Sequence, residues 1–136
     1  MIRATFRRIA APTMLAFLLV GVVAATAFAV DASWDSSCNS GEICNWRNAP
    51  YQVPLAATSS SDSDYNAGSD VYPNTTDGIN DSVSSVRNLK STDTVWFTTN
   101  NYGGSGYCVP SGFQSDQLGG LNDRFSSHLI AASPAC

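Results

Sequence analysis

One short segment is written twice in this chain. Residues 78–85 read GINDSVSS and residues 120–127 read GLNDRFSS. Gly, Asn, Asp and both closing serines are identical, and the apolar positions stay apolar. Each copy follows an aromatic pair: Trp46-x4-Tyr51 before the first, Phe97-x4-Tyr102-x-Gly104 before the second. A unit of half-domain size cannot bury a core alone, so two copies must pack on each other. Gly, Ser, Asn and Asp cut the chain into short apolar pieces rich in Val, Ile, Phe, Tyr and Trp. Residues 43–46, 83–86, 94–98, 106–109 and 128–131 therefore read as strands, which predicts an all-β sandwich or barrel. Residues 58–64 (TSSSDSD) break the pattern. They are expected to be a mobile loop, inserted in the first copy and too polar to bury.

The leader has to be set aside first. Arg3, Arg7 and Arg8 precede an uncharged apolar run that ends in Ala27-Phe28-Ala29. This is the layout of a secretory signal cut after Ala29. The uncharged run is also long enough to span a bilayer, but its small-residue end favours cleavage. The expected organisation is a signal peptide at 1–29, an N-terminal extension at 30–37 and one domain at 38–136. The domain divides into motif one at 38–90 and motif two at 91–136. Beyond the leader, four basic residues stand against eleven acidic ones, for a formal net charge of −7. That balance disfavours nucleic acid and anionic membrane and suits cations. The exported chain is expected to be a monomer.

Four cysteines in an exported chain imply disulfides. Nearness in sequence favours Cys38–Cys44 and Cys108–Cys136. A bridge from Cys136 back to an N-terminal cysteine stays open.

The run Asn-Asp-x-x-Ser-Ser, after an aromatic-x4-aromatic-x-Gly hairpin, resembles the calcium-binding βγ-crystallin domain. The resemblance implies two Greek-key motifs forming one sandwich of two four-stranded sheets, with the repeated loops supplying two calcium sites in exchange. By position, Asp81 and the Ser82 carbonyl would hold one ion, completed by the Ser126 hydroxyl. Asp123, the Arg124 carbonyl and Ser84 would hold the other. Ser85 and Ser127 would brace the hairpins. Carboxylate, carbonyl and hydroxyl are the oxygen types that calcium takes. With one carboxylate per site, weak to moderate affinity is expected, roughly micromolar to millimolar. Motif one departs from the pattern: Val53 stands where motif two has Gly104. A β-branched residue is a poor occupant of positive φ, so the first hairpin should be reshaped.

No constellation argues for an enzyme. His128 lies beside Ser126 and Ser127, but a triad is recognised by convergence in space, and no GxSxG occurs. His128 is expected to be a surface or half-buried residue, and Trp46 and Trp96 to be core. Cys38-x5-Cys44, the Asn-Tyr-Gly-Gly hairpin at 101–104 and the pair Cys108-Val109 resemble the secreted actinobacterial peptidase inhibitors of βγ-crystallin type. That resemblance implies an extracellular metalloproteinase as partner and inhibition by a rigid substrate-like loop. Cys108, Val109 and Pro110 are the candidate, with Val109 entering an apolar pocket. The alternative is a calcium-stabilised extracellular structural or stress protein with no protease target.

Overall fold

The computed structural model describes residues 32–67, 70–131 and 135–136. The expected signal peptide lies outside the described residues. Seven strands follow in order: β1 (Ile43–Asn48), β2 (Gln52–Thr58), β3 (Ser85–Asn88), β4 (Thr94–Thr99), β5 (Gly103–Val109), β6 (Gln114–Ser115) and β7 (Ser127–Ile130). They form two antiparallel sheets, one of four strands in the order β2-β1-β3-β6 and one of three in the order β5-β4-β7.

The sheets exchange strands. β6 belongs to the second motif yet pairs with β3 of the first, Val86 opposite Ser115. Reciprocally, Asp62 of the first motif bridges to His128 on β7. That single bridge stands where a fourth strand of the second sheet was expected. It also corrects the reading of 58–64 as unburied. Thr58, Asp62 and Ser63 are buried. Asp62 exchanges both backbone hydrogen bonds with His128, at 3.0 and 2.8 Å, and its carboxylate accepts the N–H of Asp64 at 2.9 Å. Polar groups can be buried when their hydrogen bonds are met.

The core between the sheets draws on both motifs and on the repeat itself. Ile79, Val83 and Phe125, apolar positions of the repeated segment, are fully buried with Ile43, Val86, Tyr65, Tyr72 and Trp96. Trp96 sends its indole N–H across to Asn45 Oδ1 at 2.8 Å, tying β4 to β1. Strand residues alternate between faces, and β1 uses both: Ile43 joins the main core, while Cys44 and Trp46 join a smaller cluster with Ala57. β2 escaped the sequence reading because Pro54 interrupts it. It lies at a sheet edge, where proline is tolerated. The segment before Cys38 is tied in as well. Asp35 exchanges backbone hydrogen bonds with Ala57 at 2.9 and 2.8 Å, and Trp34 packs edge-on against Tyr65 with ring centroids 5.6 Å apart. Both disulfides are Cys38–Cys44 and Cys108–Cys136.

Candidate functional site

The two copies of the repeat meet at the seam between the motifs. Each Asp adopts the left-handed conformation, Asp81 at φ 51° and Asp123 at φ 55°. This region is open to Asp more readily than to most residues. The turn frees each Asp N–H to cross to the other copy. Asp81 N–H donates to Phe125 O at 3.0 Å, and Asp123 N–H donates to Val83 O at 3.1 Å.

The side chains repeat the exchange. Ser84 Oγ donates to Asp123 Oδ1 at 2.9 Å, and Ser126 Oγ lies 3.5 Å from Asp81 Oδ1. The second oxygen of each carboxylate accepts from the preceding amide: Asn80 Nδ2 to Asp81 at 2.9 Å and Asn122 Nδ2 to Asp123 at 2.7 Å. Both carboxylates are exposed, while both serines are buried. Asp81 thus lies with Ser126, and Asp123 with Ser84, each pair made of one residue from each loop. Ser82 and Arg124 follow the two aspartates directly. The Ser82 carbonyl lies 3.4 Å from the Tyr72 hydroxyl, and the Ser82 hydroxyl turns back onto Gly78 O at 2.7 Å. Burial pushes the Tyr72 hydroxyl up to about 12, so it stays a donor. Among the described residues no three His, Cys, Asp or Glu side chains cluster as metal ligands. A cation here would rely on one carboxylate plus neutral oxygens, which is a calcium-type donor set.

The aromatic pairs and last serines hold these loops in place. Ser85 Oγ donates to Asn48 O at 3.2 Å and accepts the Tyr51 N–H at 3.1 Å. Ser127 Oγ donates to Thr99 O at 2.8 Å and accepts the Tyr102 N–H at 3.2 Å. Trp46 packs on Tyr51 and Phe97 on Tyr102, with centroids 5.3 and 6.0 Å apart. The hairpins still differ. Asn101, Tyr102 and Gly104 take positive φ in the second, whereas Tyr51 takes it in the first and Val53 does not. A Cβ at Gly104 would sit 2.4 Å from Thr98 Oγ1.

Sequence reasoning missed a second asymmetry. Arg47, directly after the first aromatic, forms an ion pair with Asp77. It lines a polar pocket of about 280 Å³ together with Asn48, Asp81, Ser82, Ser84 and Asp123. The matching position in motif two is Thr98, whose carbonyl lies 3.4 Å from Ser126 Oγ. The signal was there in the sequence, since Arg47 and Thr98 follow the matched aromatics Trp46 and Phe97 of the two copies and differ in charge.

His128 is not a surface residue. It is fully buried, against Trp34, Tyr65 and Trp96. Nε2 lies 2.7 Å from Ser60 O and Nδ1 lies 2.9 Å from the Tyr65 hydroxyl. A carbonyl only accepts, so Nε2 carries the proton and Nδ1 accepts from Tyr65. Burial holds the imidazole down at about 4. These partners make it a structural hydrogen-bonding residue, with no serine hydroxyl set up as a nucleophile.

The expected inhibitory loop also needs correction. Val109 is 3 % exposed, lies in the main core and pairs with Thr94 across the sheet. Its side chain is not on offer to a partner's pocket. Cys108 is half-buried, and Pro110 is exposed.

No curated protein matches this sequence significantly. Solved structures of the same architecture do. One, from work on the evolution of the eye lens βγ-crystallin domain fold, superposes with a TM-score of 0.63 at 23% identity, over 76% of this chain and 100% of that one. Spherulin 3a from Physarum polycephalum gives 0.57 at 21% identity, over 79% and 100%. A βγ-crystallin from Ciona intestinalis gives 0.54 at 22% identity, over 67% and 100%. At these identities the likeness establishes the fold, a βγ-crystallin sandwich. Residues 31–109, more than half of the sequence, match the profile of peptidase inhibitor family I36. The chain therefore belongs to peptidase inhibitor family I36, a family of inhibitors and not of enzymes.

Proposed function

We propose that this is a secreted, calcium-binding inhibitor of an extracellular metalloproteinase. Family membership supports a peptidase as the partner. Two disulfides and no free cysteine suit an oxidising, extracellular compartment. The observation that carries the calcium reading is the reciprocal pairing of Asp81 with Ser126 and of Asp123 with Ser84 across the seam. Bound calcium supplies two positive charges between groups from both motifs. This chain contributes Asp81, the Ser82 carbonyl and Ser126 to one site, and Asp123, the Arg124 carbonyl and Ser84 to the other. A ligand held only by the folded state stabilises it by mass action.

Calorimetric titration of calcium, with melting curves, tests the metal. Heat at millimolar calcium or below and a raised Tm are expected, and both should vanish in the Asp81→Ala, Asp123→Ala double variant. Equal behaviour of wild type and double variant would remove calcium from the function. Inhibition of a thermolysin-like metalloproteinase tests the partner. A calcium-raised Tm without inhibition at micromolar protein would identify a calcium-stabilised structural protein instead.

A further inference from the structure

The two repeated loops match each other closely, but their surroundings do not. Arg47 and Asp77 form an ion pair in motif one. The matched positions in motif two are Thr98 and Gly119, neither of them charged. Motif one therefore brings to the seam a cation and a carboxylate that tethers it, and motif two brings neither.

That cation has a definite place. The polar pocket of about 280 Å³ beside Arg47 holds Ser84 and Asp123, one complete cross-loop pair, and of the other pair Asp81 alone. The backbone leading into Arg47 is fixed on the first loop, because the Trp46 carbonyl accepts the Ser84 N–H at 2.8 Å. Asp77 holds the guanidinium and is itself held. Its N–H donates to Thr75 Oγ1 at 3.1 Å, and its carbonyl accepts the Tyr72 N–H at 2.9 Å. Burial raises the Tyr72 hydroxyl; among the smaller effects Arg47 opposes that rise and Asp123 adds to it, so both charges act on one neighbourhood. In motif two, Thr98 Oγ1 is spent within its own hairpin, accepting the Ser105 N–H at 2.9 Å. The other basic side chain near the seam, Arg124, folds back on its own loop, with Nη1 3.4 Å from Gly120 O.

A site with one carboxylate has little charge to spare, and the charge count of its ligands sets how tightly calcium is held. A cation in the same pocket repels the ion and competes for that carboxylate. Resting on the calcium reading above, we propose that Arg47 makes the two sites unequal and sets the order in which they fill. The Asp81–Ser126 site takes calcium first. The Asp123–Ser84 site, which shares its pocket with the guanidinium, fills at higher concentration. The Asp77 carboxylate offsets part of the charge and salt screens part of the rest, which leaves a gap of roughly three- to tenfold in affinity. The seam thus answers calcium in two steps, over a wider range than twin sites would cover.

The test is calorimetric calcium titration of single-site variants. Asp123→Ala leaves the Asp81–Ser126 site and Asp81→Ala leaves the Asp123–Ser84 site, each with and without Arg47→Thr, the matched residue of motif two. The Asp123–Ser84 site should bind about three- to tenfold more weakly than the other. Arg47→Thr should tighten it by that factor and move the Asp81–Ser126 site by less than about twofold. Arg47→Lys keeps the charge and should keep the gap, while about 0.5 M NaCl should narrow it. Amide NMR shifts during calcium titration make the same comparison with both aspartates in place: two steps in wild type, one in Arg47→Thr. Equal affinity of the two single-site variants, or a gap that survives Arg47→Thr, overturns the role of Arg47 and leaves calcium binding standing. Closure of the gap by Arg124→Ser instead does the same. No heat and no amide shift at millimolar calcium in wild type removes both.

Discussion

His128 gives the most decisive physical test of this fold. It is the chain's one histidine, it is fully buried, and both ring nitrogens are engaged. Protonating Nδ1 would replace an acceptor by a donor facing the Tyr65 hydroxyl, and would place a charge among Trp34, Tyr65 and Trp96. Burial therefore holds the folded-state pKa at about 4, against an ordinary value of 6.5. A depressed histidine contributes stability that is fully present above 6.5 and is lost as pH falls toward 4. Between those values the unfolded chain binds a proton that the native chain refuses. At about 1.4 kcal/mol per unit, the loss across that window is about 3 kcal/mol. The perturbation is His128→Gln, measured by urea unfolding at several pH values from 7.5 to 4. At pH 7.5 the variant should be less stable by about 1–3 kcal/mol, since it disturbs two buried hydrogen bonds. The carboxylates titrate alike in both proteins, so the difference between the curves isolates His128. That deficit should shrink steadily below pH 6.5. Parallel stability curves for the two proteins, or an imidazole NMR titration centred near 6.5 in the folded state, would refute the reasoning.

Two further outcomes follow from the packing. Phe125→Ala, at a fully buried repeat position, should cost about 3–5 kcal/mol in chemical denaturation, whereas Leu121→Ala, only partly buried, should cost clearly less. Ser127→Ala leaves the Tyr102 N–H and the Thr99 carbonyl without their hydroxyl partner, and should lower stability by about 1–3 kcal/mol in the same assay.

The parts that the chain writes twice were legible in it. Asp81 and Asp123 could be matched by alignment of the copies alone, and a pair of matched turns on two packed half-domains has a natural place to meet. Ser85 and Ser127 were readable for the same reason, because their bonds reach an aromatic hairpin at fixed spacing. Nearness in sequence favoured the cysteine pairing that formed, but it left a bridge from Cys136 to an N-terminal cysteine open. What stayed hidden depends on distant partners. Nothing local in TSSSDSD tells that Asp62 will exchange backbone bonds with His128, 66 residues on and part of another motif. The same contact explains why the histidine was misplaced: its burial is arranged by Trp34, Ser60 and Tyr65, none of them near it in sequence. Val109 and Phe113 are both apolar residues close to Pro110. Only the paired end of β5 decides that the first turns inward, and only the turn beyond it leaves the second outside.

The strand exchange has a consequence for how such a molecule can exist at all. Cut away β6 and the sheet holding β1 loses one border. Cut away Asp62 and the sheet holding β7 loses its neighbour. Half of this protein would be left with raw, unpaired backbone seeking a mate, and its best available mate would be another half of the same kind. The tandem chain amounts to an intimate dimer fused end to end, in which neither member is a separable lobe and both should melt as one.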